Sequence, residues 1–211
     1  SSPSIDDRAR GDPIARAMPL DARDATGYEP ADASTAFFRP ATAEDIPLVA
    51  EIEQCSYPAD EAASPDALAY RQAHAGEFFL VGVAASEESP GEDEIVSYVC
   101  GTLTMADALT HESMTTHEPA GSTLCVHSVV VEGARRRKQI GTRTLRAYVR
   151  VVCERSPAVE KIVLLCKREL IGFYEGCGFK MVGPSDVEHG ADQWYEMSQS
   201  TAFARAVFAS A

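Results

Sequence analysis

HSVVVEGARRRKQIGTRTLRAY, residues 127–148, runs from β-branched residues into four consecutive cations and then into a helical pattern. Together with the residues before it, the apolar part makes TLCVHSVVV (123–131), a continuous run of the kind expected for a central strand covered on both faces. In KQIGTRTLRAYVRVVCER (138–155), Ile140, Leu145, Tyr148, Val149 and Val152 recur at helical spacing. A strand, a basic loop and a helix start in that order suit an anion. The first turn of a helix leaves backbone N–H groups without partners and carries the positive end of the helix dipole. Gly141 and the small Thr142 let a ligand come near the backbone, and Arg135, Arg136, Arg137 and Lys138 add charge, the arginines with bidentate geometry. The stretch therefore points to a phosphate-bearing ligand. Taken alone it is weak evidence, because a basic run ahead of a helix is more often a solvated surface.

Working outward, FFLVGVAA (78–85) and EIVSYVCGTLT (94–104) read as a hairpin across an acidic loop with Pro90 and Gly91. Order begins at Phe37 and Phe38 in a short strand. Thr42 and Asp45 have the spacing of a capping box, which opens a helix with Ile46, Val49 and Ile52 on one face. Ser64 and Pro65 start a second helix that runs to about Ala73. Residues 105–121 are polar and read as loop with at most a helical turn. KIVLLCK (161–167) is a buried strand, ELIGFYEGCGF (169–179) a short helix ended by Gly176 or Gly178, and WYEMS (194–198) a late strand. The order is that of an α/β domain around a mixed sheet, spanning residues 36–211. Residues 1–35, rich in Ala, Asp, Pro and Arg and without an apolar period, read as a disordered or loosely attached extension.

A chain of 211 residues with 45% hydrophobic composition buries one sizeable core. The formal net charge of -13 argues against nucleic acid or an anionic membrane as the main partner, since both favour basic surfaces. No apolar run has the length of a membrane span, and no secretory pattern opens the chain, so a cytoplasmic protein is expected. The six cysteines show no C-x-x-C spacing, which suggests buried thiols rather than a metal ribbon or a disulfide framework. His111 and His117 lie in a polar loop and are expected in solvent; no metal site is expected. No G-x-x-x-x-G-K-[ST] occurs, which sets aside a P-loop protein.

Arg136-Arg137-Lys138-Gln139-Ile140-Gly141 resembles the signature Gln/Arg-x-x-Gly-x-Gly/Ala of motif A in the GNAT acyltransferases, and CKRELIGFYEGCGFKMVGP (166–184) resembles their motif B. More closely, FRPATAEDIPLVAEIEQCSYP, LTHES (109–113), CVHSVVV and FYEGCGF are together similar to the arylalkylamine, or serotonin, N-acetyltransferases in their non-vertebrate form, over residues 37–199. The resemblance implies a mostly antiparallel mixed sheet with helices on both faces and a splayed strand pair at the acetyl-CoA site. Two departures stand out: Gln139 replaces the first glycine of the signature, and Cys125-Val126-His127 keeps only the second histidine of the family's His-x-His pair.

An alkylamine arrives as ammonium at neutral pH, its pKa lying near about 10 by analogy with lysine, so acetyl transfer needs a base. His127, with an ordinary pKa of about 6.5, suits that task, and the resemblance implies that it acts through bound water. Read from the strand alone, it is an ordinary core histidine. Tyr174, by the same resemblance, is the candidate acid facing the leaving thiol. By carry-over Val129, Val130 and Val131 serve the pantetheine arm, and Arg136, Arg137, Lys138, Gln139, Ile140, Gly141 and Thr142 hold the pyrophosphate. Without the resemblance the three valines are simply core. Tyr57 and Pro58 fall where the family keeps an aromatic loop against the amine, and Asp60 and Glu61 offer negative charge to an ammonium. Cys166 has no base beside it in sequence, so direct transfer is favoured over an acyl-enzyme. The expectation is a monomeric or weakly dimeric acetyl-CoA:arylalkylamine N-acetyltransferase; acceptors of the polyamine or protein-lysine type, and a non-catalytic acyl-CoA-binding module, remain open.

Overall fold

The computed structural model describes residues 37–86, 93–187 and 192–210, together with the backbone of Leu20–Asp21. In chain order the elements are β1 (Leu20–Asp21), β2 (Phe37–Pro40), α1 (Ile46–Gln54), α2 (Pro65–Ala75), β3 (Phe79–Ala85), β4 (Asp93–Thr104), α3 (His111–Thr115) and β5 (Thr123–Val131). They continue as α4 (Ile140–Arg155), β6 (Lys161–Lys167), α5 (Ile171–Gly176), β7 (Lys180–Pro184), β8 (Trp194–Ser200) and α6 (Thr201–Ala209). The strands form one sheet in the order β1-β2-β3-β4-β5-β6-β8-β7. Only β5 and β6 run parallel among these neighbours, joined by α4 as their crossover.

Strand alternation divides the core into two layers. Phe79, Val81 and Val83 of β3, with Tyr98 and Cys100 of β4, pack in one cluster with Val49 of α1 and Leu68 of α2. Leu80 and Val99, one residue out of step, join Leu145, Tyr148 and Val152 of α4 on the opposite face, where Ala204 of α6 also packs. Helices therefore cover both faces, as a sheet with near-continuous apolar strands requires.

The expected helix starts hold with small shifts. Asp45 accepts the Thr42 backbone N–H at 2.7 Å and pairs with Arg39, and a single 3-10 turn precedes α1. At α2 the Ser64 hydroxyl accepts the Ala67 N–H at 3.1 Å, with Pro65 in the first helical position. After α5 the chain reverses through Gly178, whose φ of +95° is a backbone conformation that residues with a Cβ rarely adopt. The helical turn in the 105–121 loop is real, and α3 occupies it. Strand β7 and helix α6 were not foreseen. Leu20–Asp21 pair with Phe38 and Phe37; the remainder of the expected N-terminal extension, and the Pro90-Gly91 turn, lie outside the described residues.

What positions the site is the way β5 leaves its neighbours. Its parallel pairing to β6 covers Thr123–Val126 against Lys161–Leu164, and among the described residues the two strands do not pair beyond it. On the other side the register with β4 slips between Cys100 and Gly101, so that Ser128 faces Cys100, Val126 faces Gly101 and His127 is the extra residue. The strands thus part on the one side and bulge on the other at the same residue, as the splayed pair anticipated.

Candidate active site

Where the strands part, a cleft of about 470 Å³ opens between β5, the loop that follows it, and α5. Val129, Val130 and Val131 line it from the strand, Arg136, Arg137, Gln139, Ile140, Gly141 and Thr142 from the loop and helix start, and Tyr174 from α5. Of the residues expected to hold a pyrophosphate and its arm, only Lys138 is not part of the wall. Pro58 and Asp60 are exposed and line neither this cleft nor the smaller cavity beneath it.

The loop is shaped by its own side chains. Glu132 accepts the backbone N–H groups of Ala134 and Arg135 at 3.0 and 3.1 Å, closing a tight turn. Arg135 then folds inward, 4% exposed, against Glu94 and the Ala85 carbonyl. Its role is to anchor the loop. Arg136 donates to the Val131 carbonyl at 3.1 Å and to the Ser56 hydroxyl at 2.9 Å, tying the loop to the segment after α1. Arg137 and Gln139 both have left-handed backbones, with φ of 65° and 60°. Glycine is the ordinary occupant of such a backbone, so Gln139 carries its side chain where a glycine would be unstrained. A Cβ on Gly141 would sit 3.4 Å from Val131 and 3.5 Å from Phe173, ordinary contact. The protein's own packing does not demand glycine there.

A second, smaller cavity of about 60 Å³ is lined by Glu53, Glu61, His127, Ser128, Leu109, Met114, Leu165 and Trp194. Tyr57, Val129 and Tyr174 line both spaces. His127 Nε2 lies 2.7 Å from the Thr102 hydroxyl, which donates to the Ser113 carbonyl at 2.7 Å. A hydroxyl has one proton, and a carbonyl can only accept, so Nε2 carries the hydrogen and donates to Thr102. The Nδ1 lone pair is left over, buried and without a partner among the described residues. Burial, and next the charge of Arg71, hold the imidazole well below its usual pKa, while the Ser113 carbonyl opposes them. His127 is thus neutral at neutral pH.

Tyr174 is buried between Phe173 and Phe179, with ring centroids 4.9 and 6.1 Å away in edge-on contact. Its hydroxyl makes no hydrogen bond among the described residues, and burial keeps the phenol protonated to well above its usual pKa. Burial, followed by the Glu53 charge, raises the pKa of Tyr57 too, while the nearby Val129 backbone opposes them. Cys166 is 1% exposed, with its thiol pushed up to about 11 by burial, which makes it a poor nucleophile.

The family model described as acetyltransferase (GNAT) family matches residues 46–179. The chain belongs to the GNAT family. The serotonin N-acetyltransferase of Mesocricetus auratus is 35% identical over 109 residues, 52% of this chain and 52% of that protein. The chain spans about half the length of the curated relatives it matches. Among solved structures, the GphF GNAT-like decarboxylase in complex with isobutyryl-CoA superposes with a TM-score of 0.64 at 18% identity, covering 78% of this chain and 98% of that one. Arabidopsis thaliana Naa50 in complex with a bisubstrate analogue gives 0.58 at 15% identity, covering 79% and 99%. These likenesses establish the fold.

Within the GNAT frame, several site residues were invisible to sequence reasoning. Thr102 and Ser113 fix the histidine tautomer from β4 and α3; Ser113 ends the LTHES stretch, but nothing in the sequence ties either residue to His127. Arg71, 5% exposed, donates to the Met114 carbonyl at 3.2 Å and approaches the Cys100 sulfur at 3.8 Å, holding the α3 segment over the cavity. His117, expected in solvent, is half-buried and accepts the Leu103 N–H through Nδ1 at 3.1 Å, pinning the same segment to β4. Glu61 is buried and pairs with Lys167 at 2.7 Å, and Lys167 also reaches Asp192 at 2.9 Å. The one signal that could have been used is Glu53: it continues the apolar stripe of Ile46 and Val49, where an acid must find donors. Among the described residues no three His, Cys, Asp or Glu side chains gather as a metal site would require, and no helix is long and apolar enough to cross a membrane.

Proposed function

We propose that the protein is an acetyl-CoA-dependent N-acetyltransferase that acetylates the primary amine of an arylalkylamine by direct transfer. The observation that carries the reading is the shared wall: Tyr57, Val129 and Tyr174 line both a cleft shaped for a phosphate-bearing thioester and a cavity that holds an unpartnered base. The residues fit acetyl-CoA. Amides of the first turn of α4, with Arg136 and Arg137, suit its pyrophosphate, and the edge of Val129–Val131 that faces away from β4, beyond the β6 pairing, suits its arm. Acetyl-CoA supplies an acetyl group activated as a thioester.

The protein's own groups do the rest. His127 Nδ1 accepts a proton from the ammonium, through water where one intervenes. Tyr174 offers an unused O–H to the departing thiolate. A phenol at about 10 against a thiol at about 8.5 is already mismatched by roughly 2 kcal/mol for full transfer, and burial widens the gap, so Tyr174 acts by hydrogen bonding. The Val129 N–H, in the cleft wall, is the donor suited to polarise an acyl oxygen. The apolar wall of Leu109, Met114, Leu165 and Trp194 suits the uncharged arm of a monoamine better than a polyamine, whose further ammonium groups would be buried without partners. In this reading the protein works in the cytoplasm as a monomer or weak homodimer and needs no metal.

Thiol release from acetyl-CoA tests the proposal, with tryptamine, serotonin, phenylethylamine, spermine and a lysine peptide offered separately. Turnover should favour the three aromatic amines by at least tenfold in kcat/KM. Turnover confined to spermine or the peptide would reassign the acceptor, and cofactor binding without turnover on any amine would make the protein an acyl-CoA-binding module.

A further inference from the structure

Glu53 sits near the C-terminal end of α1 on the face turned to the core, and is 1% exposed. One carboxylate oxygen accepts the Ala63 backbone N–H at 2.9 Å and the Ser128 hydroxyl at 3.2 Å, and the other accepts the Tyr98 hydroxyl. A carboxylate offers about four acceptor positions, so one remains on the oxygen that Tyr98 contacts. Among the described residues no cation pairs with Glu53. The other acid of the cavity, Glu61, is matched by Lys167.

A buried carboxylate without a counter-ion is costly to keep unless something positive joins it. Here it forms part of a cavity wall that also presents the unpartnered His127 Nδ1, Glu61 with its Lys167 partner, and apolar side chains. A space of about 60 Å³, the share of roughly two liquid waters, admits a compact head group and little more. Charge, size and lining select the same chemistry: a primary ammonium on a short aliphatic arm.

We propose that Glu53 is the ammonium-recognising residue of the smaller cavity, its carboxylate hydrogen-bonding the head group of the incoming amine beside His127. The assignment rests on the acetyltransferase reading of the site and extends it by naming the acid that selects cationic substrates. Ser128, Tyr98 and the Ala63 amide hold that carboxylate in place. Asp60, in solvent, and Glu61, engaged by Lys167, leave Glu53 as the acid available to the substrate.

Calorimetric titration of the full chain, saturated with CoA, compares tryptamine with tryptophol, its neutral hydroxyl analogue. The wild type should bind tryptamine at least thirtyfold more tightly than tryptophol, and Glu53→Gln should weaken tryptamine ten- to a hundredfold while changing tryptophol and CoA by less than threefold. Unchanged tryptamine affinity in the variant, or equal losses for tryptamine and tryptophol, overturns the assignment. Should Glu53→Gln not fold, the wild-type comparison still decides, because comparable affinities for the two probes contradict an anionic anchor. Thiol release separates the two claims: Glu53-dependent tryptamine binding without turnover supports the anchor and sinks the transferase, and turnover with a Glu53→Gln variant that binds tryptamine normally does the reverse.

Discussion

At the scale of single residues, the site is organised around one lone pair and one hydroxyl. Thr102 and the Ser113 carbonyl decide that the free nitrogen of His127 is Nδ1, and Arg71 adds to burial in keeping it unprotonated. A base is competent when neutral, so the acid limb of kcat/KM for the amine should lie below about 6.5, the ordinary value. Arg71→Met removes the nearby charge and should move that limb upward, toward 6.5; a pH–rate profile in which it stays put removes Arg71 from the control of His127. Tyr174→Phe keeps the edge-on packing with Phe173 and Phe179 and deletes only the O–H. A hydrogen bond to a charged group contributes about 1.5–3 kcal/mol, so kcat should fall about ten- to a hundredfold with the acetyl-CoA dissociation constant nearly unchanged. Equal kcat in the variant means that Tyr174 is only a packing residue.

At the scale of elements, the strand, loop and helix that open the site are what the sequence made legible, because an anion site of this kind is built locally: consecutive cations, a helix start and a small residue all fall within 127–142. The hairpin, the capped starts of α1 and α2, and the Gly178 stop were readable for the same reason. The polar partners were not. Glu53, Arg71, Thr102 and His127 come from α1, α2, β4 and β5 and meet only through the register of β4 against β5, including the slip that turns His127 into the bulge. Short apolar signals also fail at the sheet edge, where Met181 and Val182 of β7 are largely exposed and the segment carries a glycine and a proline. The left-handed Gln139 gives this level its test. Relieving a side chain at such a position is worth about 1 kcal/mol, so Gln139→Gly should raise the urea unfolding midpoint and tighten CoA binding several-fold by opening the backbone. An unmoved midpoint with unchanged CoA affinity means that the side chain neither strains the loop nor shields its amides.

At the scale of the whole molecule, two histidines are folded in as neutral groups: His127, and His117 with its backbone bond, both held below their usual pKa chiefly by burial. A lowered folded pKa means that their stabilisation is complete above the unfolded value of about 6.5 and is lost as pH falls toward the folded value. Net charge works the other way. At -13, acidification toward neutrality relieves self-repulsion. A urea midpoint that declines below pH 6.5, and declines less in His127→Gln, is therefore the signature of the buried histidines; a midpoint that rises steadily with acid shows that charge repulsion dominates. In the proposed reaction one fold brings thioester and amine to a shared wall and passes the acetyl group between them without an acyl-enzyme. Initial rates measured while acetyl-CoA and tryptamine are varied together test it most directly. Double-reciprocal lines that intersect are expected for a complex holding both substrates, whereas parallel lines, with an acetyl group found on Cys166 when the amine is withheld, would contradict it.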